Sequence, residues 1–188
     1  MNPHRRAART TVSFERGGTR NQKTRPQSSL DHYLLSLLLD FHGSSWIMCA
    51  MVFQEEILIS TSGHRDIHDI TSKVSRIVER SGIQTGGVHV FNVGSTGCIG
   101  IIELEPGLVR DLPEILDKLI PASRSYGHEQ AWHDGNAHSH LQATLMGPSL
   151  TIPVSTGRLV LGTWQQIFHL ECDIKPRSRK IIVTMQGD

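Results

Sequence analysis

The sequence predicts an α+β fold built mostly of antiparallel sheet, and three observations carry that prediction. Short β-branched and aliphatic runs outnumber the segments with helical spacing. Neighbouring runs are joined by short turns of Gly, Ser and Thr, as in hairpins. Three helical segments are interspersed among the strands rather than alternating with each of them, which is the layout of an α+β domain.

Taken in order, Phe53, Ile57 and Ile59 suggest a first strand. Ile67, Ile70, Val74, Ile77 and Val78 then recur at helical spacing, with Ser81-Gly82 as the stop. Two strands follow, over residues 86–93 and 98–104, and the Gly94-Ser95-Thr96-Gly97 turn between them predicts a hairpin. Glu105-Pro106-Gly107 opens a second helical stretch, in which Asp111 and Glu114 have capping-box spacing beside Pro113. Its apolar face is Leu112, Ile115, Leu116, Leu119 and Ile120. After a long loop over residues 123–137, Ser139 is placed to cap a helix over residues 140–146 that Gly147 stops. Strands over residues 150–154 and 158–161 flank Ser155-Thr156-Gly157 as a hairpin, and the segment from Gly162 continues as strand. Residues 176–180 read as a short basic turn before the last strand, residues 180–185.

Charge divides the chain. The first 30 of its 188 residues carry seven Lys or Arg against Glu15, a net of +6, which leaves −5 for the remainder. That segment is too poor in aliphatic residues to offset its ordering entropy, so a disordered basic tail is expected. Over residues 1–50 this reading stands beside a transit-like leader and translated sequence upstream of a start at Met51. A mildly acidic domain argues against a nucleic-acid partner, and no run of about 18 apolar residues supplies a membrane span. Cys49, Cys98 and Cys172 form no close metal-binding pair and read as reduced thiols of a cytoplasmic protein.

Residues 126–165 hold the chemistry. Four of the eleven histidines, His128, His133, His138 and His140, lie there among Glu129, Asp134 and Asn136 in a Gly-rich segment poor in aliphatic residues. Imidazole and carboxylate are the usual ligands of divalent metals and the usual acids and bases near neutral pH. His133 reads as a solvated loop histidine, and His64 with His68 as exposed polar residues near a helix start whose spacing also suits a metal. Ser95 and Thr96 belong to a turn whose N–H groups and hydroxyls suit a phosphate, and Arg177 and Arg179 supply guanidinium forks for one. Glu103 and Glu105, on the approach to the second helix, are candidates to point toward the histidine cluster, and Trp164 reads as a packed or subunit-contact residue.

Ser149, Ile152, Val154 and Gly157, followed by Gly162-Thr163-Trp164-Gln165 and Ile167, resemble the signature of the YjbQ family, small proteins often labelled secondary thiamine-phosphate synthase. His128, Asn136, Ser139-His140, the Pro176-Arg177-Ser178-Arg179 run and the Gln186-Gly187-Asp188 end are similar to family positions as well, so the likeness runs from Met51 to the C-terminus. Many relatives carry a His-Thr pair in the first hairpin region, where this chain has Asn92, Val93 and the G-S-T-G form. The resemblance implies a compact sandwich, a homotrimer, and a synthase joining a pyrimidine diphosphate to a thiazole phosphate with loss of pyrophosphate. Such a reaction asks for a divalent cation, zinc or magnesium, and for donors on the departing diphosphate. The assignments expected on this basis are His128 and His140 to metal or acid-base duty, His138 as a further metal ligand, Asp134 and Asn136 to ligation or substrate hydrogen bonding, and Ser95, Thr96, Arg177 and Arg179 to phosphate. The alternatives are a non-catalytic oligomer that binds a metal or small ligand, and a metal-assisted hydrolase using Asp134 or Glu129.

Overall fold

The computed structural model describes residues 51–188. The readings of residues 1–50 lie outside the described residues. Eight strands and four helices follow in the order β1 Met51–Thr61, β2 Ile67–Asp69, α1 Thr71–Ser81, β3 Thr85–Val93, β4 Gly97–Ile102, α2 Pro106–Leu119, α3 Gly127–Trp132, α4 Ala137–Met146, β5 Ser149–Ser155, β6 Arg158–Leu159, β7 Gln166–Glu171 and β8 Arg177–Gly187. The α+β expectation holds. One sheet has the order β1-β8-β3-β5-β6 and the other β2-β7-β4, and every neighbouring pair in both is antiparallel.

Three layers of packing result. Strand period two turns Ile57 and Ile59 of β1, Val88 and Val90 of β3 and Ile181, Val183 and Met185 of β8 inward, against Val74, Ile77 and Val78 of α1 and Ile99 and Ile167 of the smaller sheet. The opposite face of that smaller sheet packs Cys98, Phe168, Leu170 and Cys172 against Leu116 of α2 and Ala143 of α4. β7 is therefore covered on both faces, which explains why its run from Ile167 to Glu171 is buried without a break.

Several elements depart from the sequence reading for identifiable reasons. The helix expected from Ile67 begins at Thr71, because Ile67–Asp69 pairs with β7 and the Asp69 carboxylate accepts from Thr71 N. Gly82 ends that helix in the left-handed conformation, as expected. The second helix opens at Pro106, as the Glu105-Pro106-Gly107 run predicts, and the capping-box spacing of Asp111 and Glu114 lies inside it rather than at its first turn. Glu105 is its N-cap, its carboxylate accepting from Gly107 N and Leu108 N, so Glu105 serves the backbone and not the histidines. The apolar face of α2 is half covered within one chain: Leu116 is buried, while Ile115 and Leu119 are exposed.

The Gly94-Ser95-Thr96-Gly97 turn does not close a hairpin, since β3 and β4 belong to different sheets and the turn carries the chain from one to the other. Ser155-Thr156-Gly157 does close one, with Thr156 and Gly157 at positive φ and Ser155 paired with Arg158. The expected basic turn before the last strand is itself strand: Arg177 to Gly187 pairs with Thr61 to Met51 along the whole of β1. Period two then places Arg179 on the inward face with Ile181, Val183 and Met185.

Arg179 meets Glu171 of β7 between the two sheets, Nε donating to Oε2 at 2.7 Å and Nη2 to Oε1. Removing one partner of a buried pair leaves an uncompensated charge, whereas replacing both by apolar groups often costs little. Arg179→Ala is expected to lower stability by about 3–5 kcal/mol, and Arg179→Met with Glu171→Leu by much less. Urea denaturation of the two variants measures the difference.

Candidate functional site

The site assembles at one end of the sandwich, above that ion pair. Asn92, fully buried at the end of β3, donates from Nδ2 to the carbonyls of Gly94 and Gly97 at 3.0 and 2.9 Å. Its Oδ1 accepts from His169 Nε2 at 3.1 Å. Thr96 Oγ1 donates to Asp173 Oδ2 at 3.0 Å and accepts from Arg179 Nη2 at 2.7 Å. Glu171 further accepts from Thr61 Oγ1 and from Asp173 N, and Arg177 Nε donates to Asp173 Oδ2. Burial pushes the Asp173 carboxyl up, but the guanidinium of Arg177 and the Thr96 hydroxyl outweigh it and hold the group below its ordinary value.

Two glycines let the turn sit directly on this network. A Cβ on Gly94, whose φ is +156°, would stand 2.8 Å from Arg179 Nη1, and one on Gly97 2.7 Å from His169 Nε2. Of the four residues expected to bind phosphate, only Ser95 is exposed on the turn. Thr96 and Arg179 are buried beneath it, because both hold the turn from below, and Arg177 is half-exposed and paired with Asp173. The four do not form one open cradle.

A cleft of about 490 Å³ opens beside the turn, between Gly94, Ser95 and Phe91 on one wall and His140 and Thr144 of α4 on the other. The position of α4 is fixed from α3. Glu129, buried in the middle of α3, accepts from Gly135 N at 2.9 Å and Ala137 N at 3.0 Å, and from Arg124 Nη1. A carboxylate of one helix thus caps the next, and α4 starts at Ala137 rather than at the expected Ser139 boundary. Ser139 becomes a buried residue of the first turn, its hydroxyl without a partner. The N–H donors of Ala137 above all, then Gly135 and Arg124, hold the Glu129 carboxyl below its ordinary value against the opposing effect of burial.

On this frame His128 of α3 lies beside His140 of α4, with ring centroids 4.8 Å apart. Asp134 Oδ1 is 3.4 Å from His128 Nε2. With its amide nitrogen turned toward these groups, Asn136 donates to Asp134 at 3.0 Å and lies 3.3 Å from His128 Nε2. His128, Asp134, Asn136 and His140, the four residues expected to be catalytic, are brought together. His138 is not with them. Two residues apart on a helix means about 200° of rotation, so His138 faces away from His140. It is buried edge-to-face against His64, with centroids 5.7 Å apart, and burial together with the nearby His64 lowers its pKa. The expected trio of metal ligands is therefore split.

His64 itself meets Asp117 of α2 at 2.9 Å, and Gln142, one turn beyond His138, donates to the same carboxylate. His68 pairs instead with Asp66, so the two do not share a ligand. His133 is exposed in the left-handed conformation after α3, in keeping with a solvated loop position. Glu103 is exposed, and so is Trp164.

The sequence reading gave Asn92, Glu171 and Asp173 no role. The signal for Glu171 was its period-two place with Ile167 and His169 on the β7 face that meets the larger sheet. No short-range pattern identified Asn92 as the clamp of the turn.

With this geometry in hand, comparison with known proteins decides the family. The model of the UPF0047 protein YjbQ-like family matches residues 55–188. The chain belongs to that family. It is 44% identical over 136 residues to a UPF0047 protein of Methanothermobacter thermautotrophicus, covering 72% of this chain and 93% of the relative. A UPF0047 protein of Archaeoglobus fulgidus is 42% identical over 128 residues, covering 68% and 97%. The crystal structure of a YbjQ-like protein from Sulfolobus solfataricus superposes with a TM-score of 0.70 at 38% identity, covering 74% of this chain and 99% of the other. Among the described residues of this YjbQ-like chain, no helix is long and apolar enough to cross a membrane.

His169 supplies a pH test of the clamp. It is fully buried, Nδ1 has no partner, and burial lowers its pKa to about 4. Unfolding restores a value near 6.5, so the unfolded chain binds the proton first as pH falls. The stability that neutral His169 preserves is complete above about pH 6.5 and is lost as pH drops toward 4, by on the order of 3 kcal/mol. His169→Gln, which can still donate to Asn92, is expected to flatten this part of a denaturation-versus-pH series.

Proposed function

We propose that the cleft binds a phosphorylated small molecule and acts on it, with the phosphate against Ser95 and the backbone of the G-S-T-G turn and the reacting end against His140 and His128. One observation carries this reading. Ser95 and His140 stand on opposite walls of a single cleft, while the Arg179 guanidinium lies directly beneath Gly94, where no side chain intervenes. A turn with free N–H groups and an exposed Ser95 hydroxyl favours an anion. Arg179, its charge met by Glu171, holds the turn from below, and its Nη1 is the guanidinium atom nearest the glycine.

His128, His140 and Asp134 offer two imidazoles and a carboxylate, the donor chemistry of a three-ligand divalent site, and imidazole favours zinc over magnesium. Among the described residues no three such side chains already converge as a ligand set, so binding would ask His128 to give up its contact with Asp134 and Asn136. A bound zinc would supply Lewis acidity toward a phosphoryl or diphosphate oxygen. Independently of any metal, His140 and His128 can hold or deliver a proton at the leaving oxygen, with Asp134 and Asn136 orienting His128.

Formation of thiamine phosphate, in which a carbon–oxygen bond to diphosphate breaks as the thiazole nitrogen bonds to that carbon, is the reaction proposed for testing. The exposed apolar residues Phe91 and Val93 beside the turn, and Leu141 and Leu145 one turn apart on α4, support self-association with these edges at the subunit boundary, and a homotrimer is the assembly proposed. The free, buried thiols Cys98 and Cys172 support a cytoplasmic setting.

Purified protein with and without added zinc, assayed for thiamine phosphate formation and for release of phosphate from aryl phosphates, tests the reading. His140→Ala is expected to lower turnover about 100-fold or more, and Ser95→Ala to raise KM with a smaller effect on kcat. Turnover unchanged in His140→Ala removes the histidine pair from the chemistry. Phosphate bound without turnover in any sample makes the site a binding site only.

A further inference from the structure

We propose that Trp132 and His128 form an aromatic platform outward of His140, the cleft-wall histidine, and that the ligand whose anionic end occupies the cleft carries a planar aromatic ring that stacks there. The inference rests on the reading of the cleft as an anion site and deepens it by assigning the residues on which the ligand's ring rests.

Trp132 is 72% exposed, an uneconomical place for the largest apolar side chain unless something covers it. It is nevertheless ordered by its neighbours. His128 and Trp132 are four residues apart on α3 and so share one face of it, with rings stacked at 27° and centroids 6.5 Å apart. Glu129, on the inward side of the same helix, ties α3 to Gly135 and Ala137, which fixes the platform relative to α4. From His140 on the cleft wall, the rings run through His128, 4.8 Å away, to Trp132. A ligand extending out of the cleft past His140 therefore meets π-faces in succession, and two imidazoles beside an indole favour a flat ring over a flexible chain. Trp164 is comparably exposed, at 68%, but has no stacked neighbour among the described aromatic pairs.

The test is equilibrium binding of inorganic phosphate, cyclohexyl phosphate, phenyl phosphate and 2-naphthyl phosphate to wild type, Trp132→Ala, Trp132→Phe and Trp164→Ala, with oligomeric state measured on each. Wild type is expected to bind naphthyl and phenyl phosphate more tightly than cyclohexyl phosphate, with quenching of tryptophan fluorescence. Trp132→Ala should weaken the aryl phosphates by at least about 5-fold while inorganic and cyclohexyl phosphate change less than about 2-fold. Trp132→Phe should keep most of the affinity and lose most of the quenching, and Trp164→Ala should change nothing. Equal affinity of wild type for phenyl and cyclohexyl phosphate overturns the platform while leaving the anion site standing. No binding of any phosphate overturns the anion site and the platform with it. Uniform weakening of all four ligands in Trp132→Ala, with a shift in oligomeric state, makes Trp132 a subunit contact and overturns the proposal.

Discussion

The Arg179–Glu171 pair between the sheets is the interaction on which the functional end depends. Taking both charges out of water is costly, and the cost is offset only where further donors and acceptors complete the site. Here Thr61, Thr96 and the backbone of Asp173 do so, and each reaches the pair from a different segment. The pair therefore joins β1, the turn after β3, β7 and β8 into one object. An apolar pair would hold the sheets together as well, but would give the Thr96 hydroxyl of the turn no guanidinium partner.

Asn92 and His169 do the same by neutral hydrogen bonds. The two carbonyls that Asn92 takes up, of Gly94 and Gly97, would otherwise be unmet where the chain leaves one sheet for another. Their satisfaction by a single side chain keeps the turn short and its outer surface free. The glycines at both ends are needed because the clamp and the guanidinium approach so closely.

Much of the fold could be read from the sequence, and the errors have a common origin. Strand alternation located β1, β3, β5 and β8, and Gly82 marked the end of α1. What failed were boundaries set by distant partners. The hairpin expected at residues 94–97 is a crossing between sheets because β7, some 70 residues away, takes β4 as its neighbour. The start of α4 shifted to Ala137 because Glu129 caps it across a loop. The candidate site was legible as a group of residue types in one segment, and His128, Asp134, Asn136 and His140 do meet. Period decides the exception: counting histidines places His138 with its neighbours, whereas helix rotation sends it toward His64 and Asp117. Arg179 and Thr96 were identified for their chemistry but not for their depth, since a two-residue strand period with apolar neighbours was outweighed by a basic-looking tetrapeptide.

The capping of α4 by Glu129 makes the stretch between them a ruler. Seven intervening residues bring Gly135 N and Ala137 N to one carboxylate, and the same count sets how far the α3 face stands from the first turn of α4. Within the stretch Gly135 takes a positive φ and Asp134 and Asn136 face His128. Its length is constrained as well: one residue more or less would take a donor away from Glu129 and turn His128 and His140 out of register. The span thus acts as a spacer closed to insertion, and its fixed length holds the two imidazoles at a constant separation.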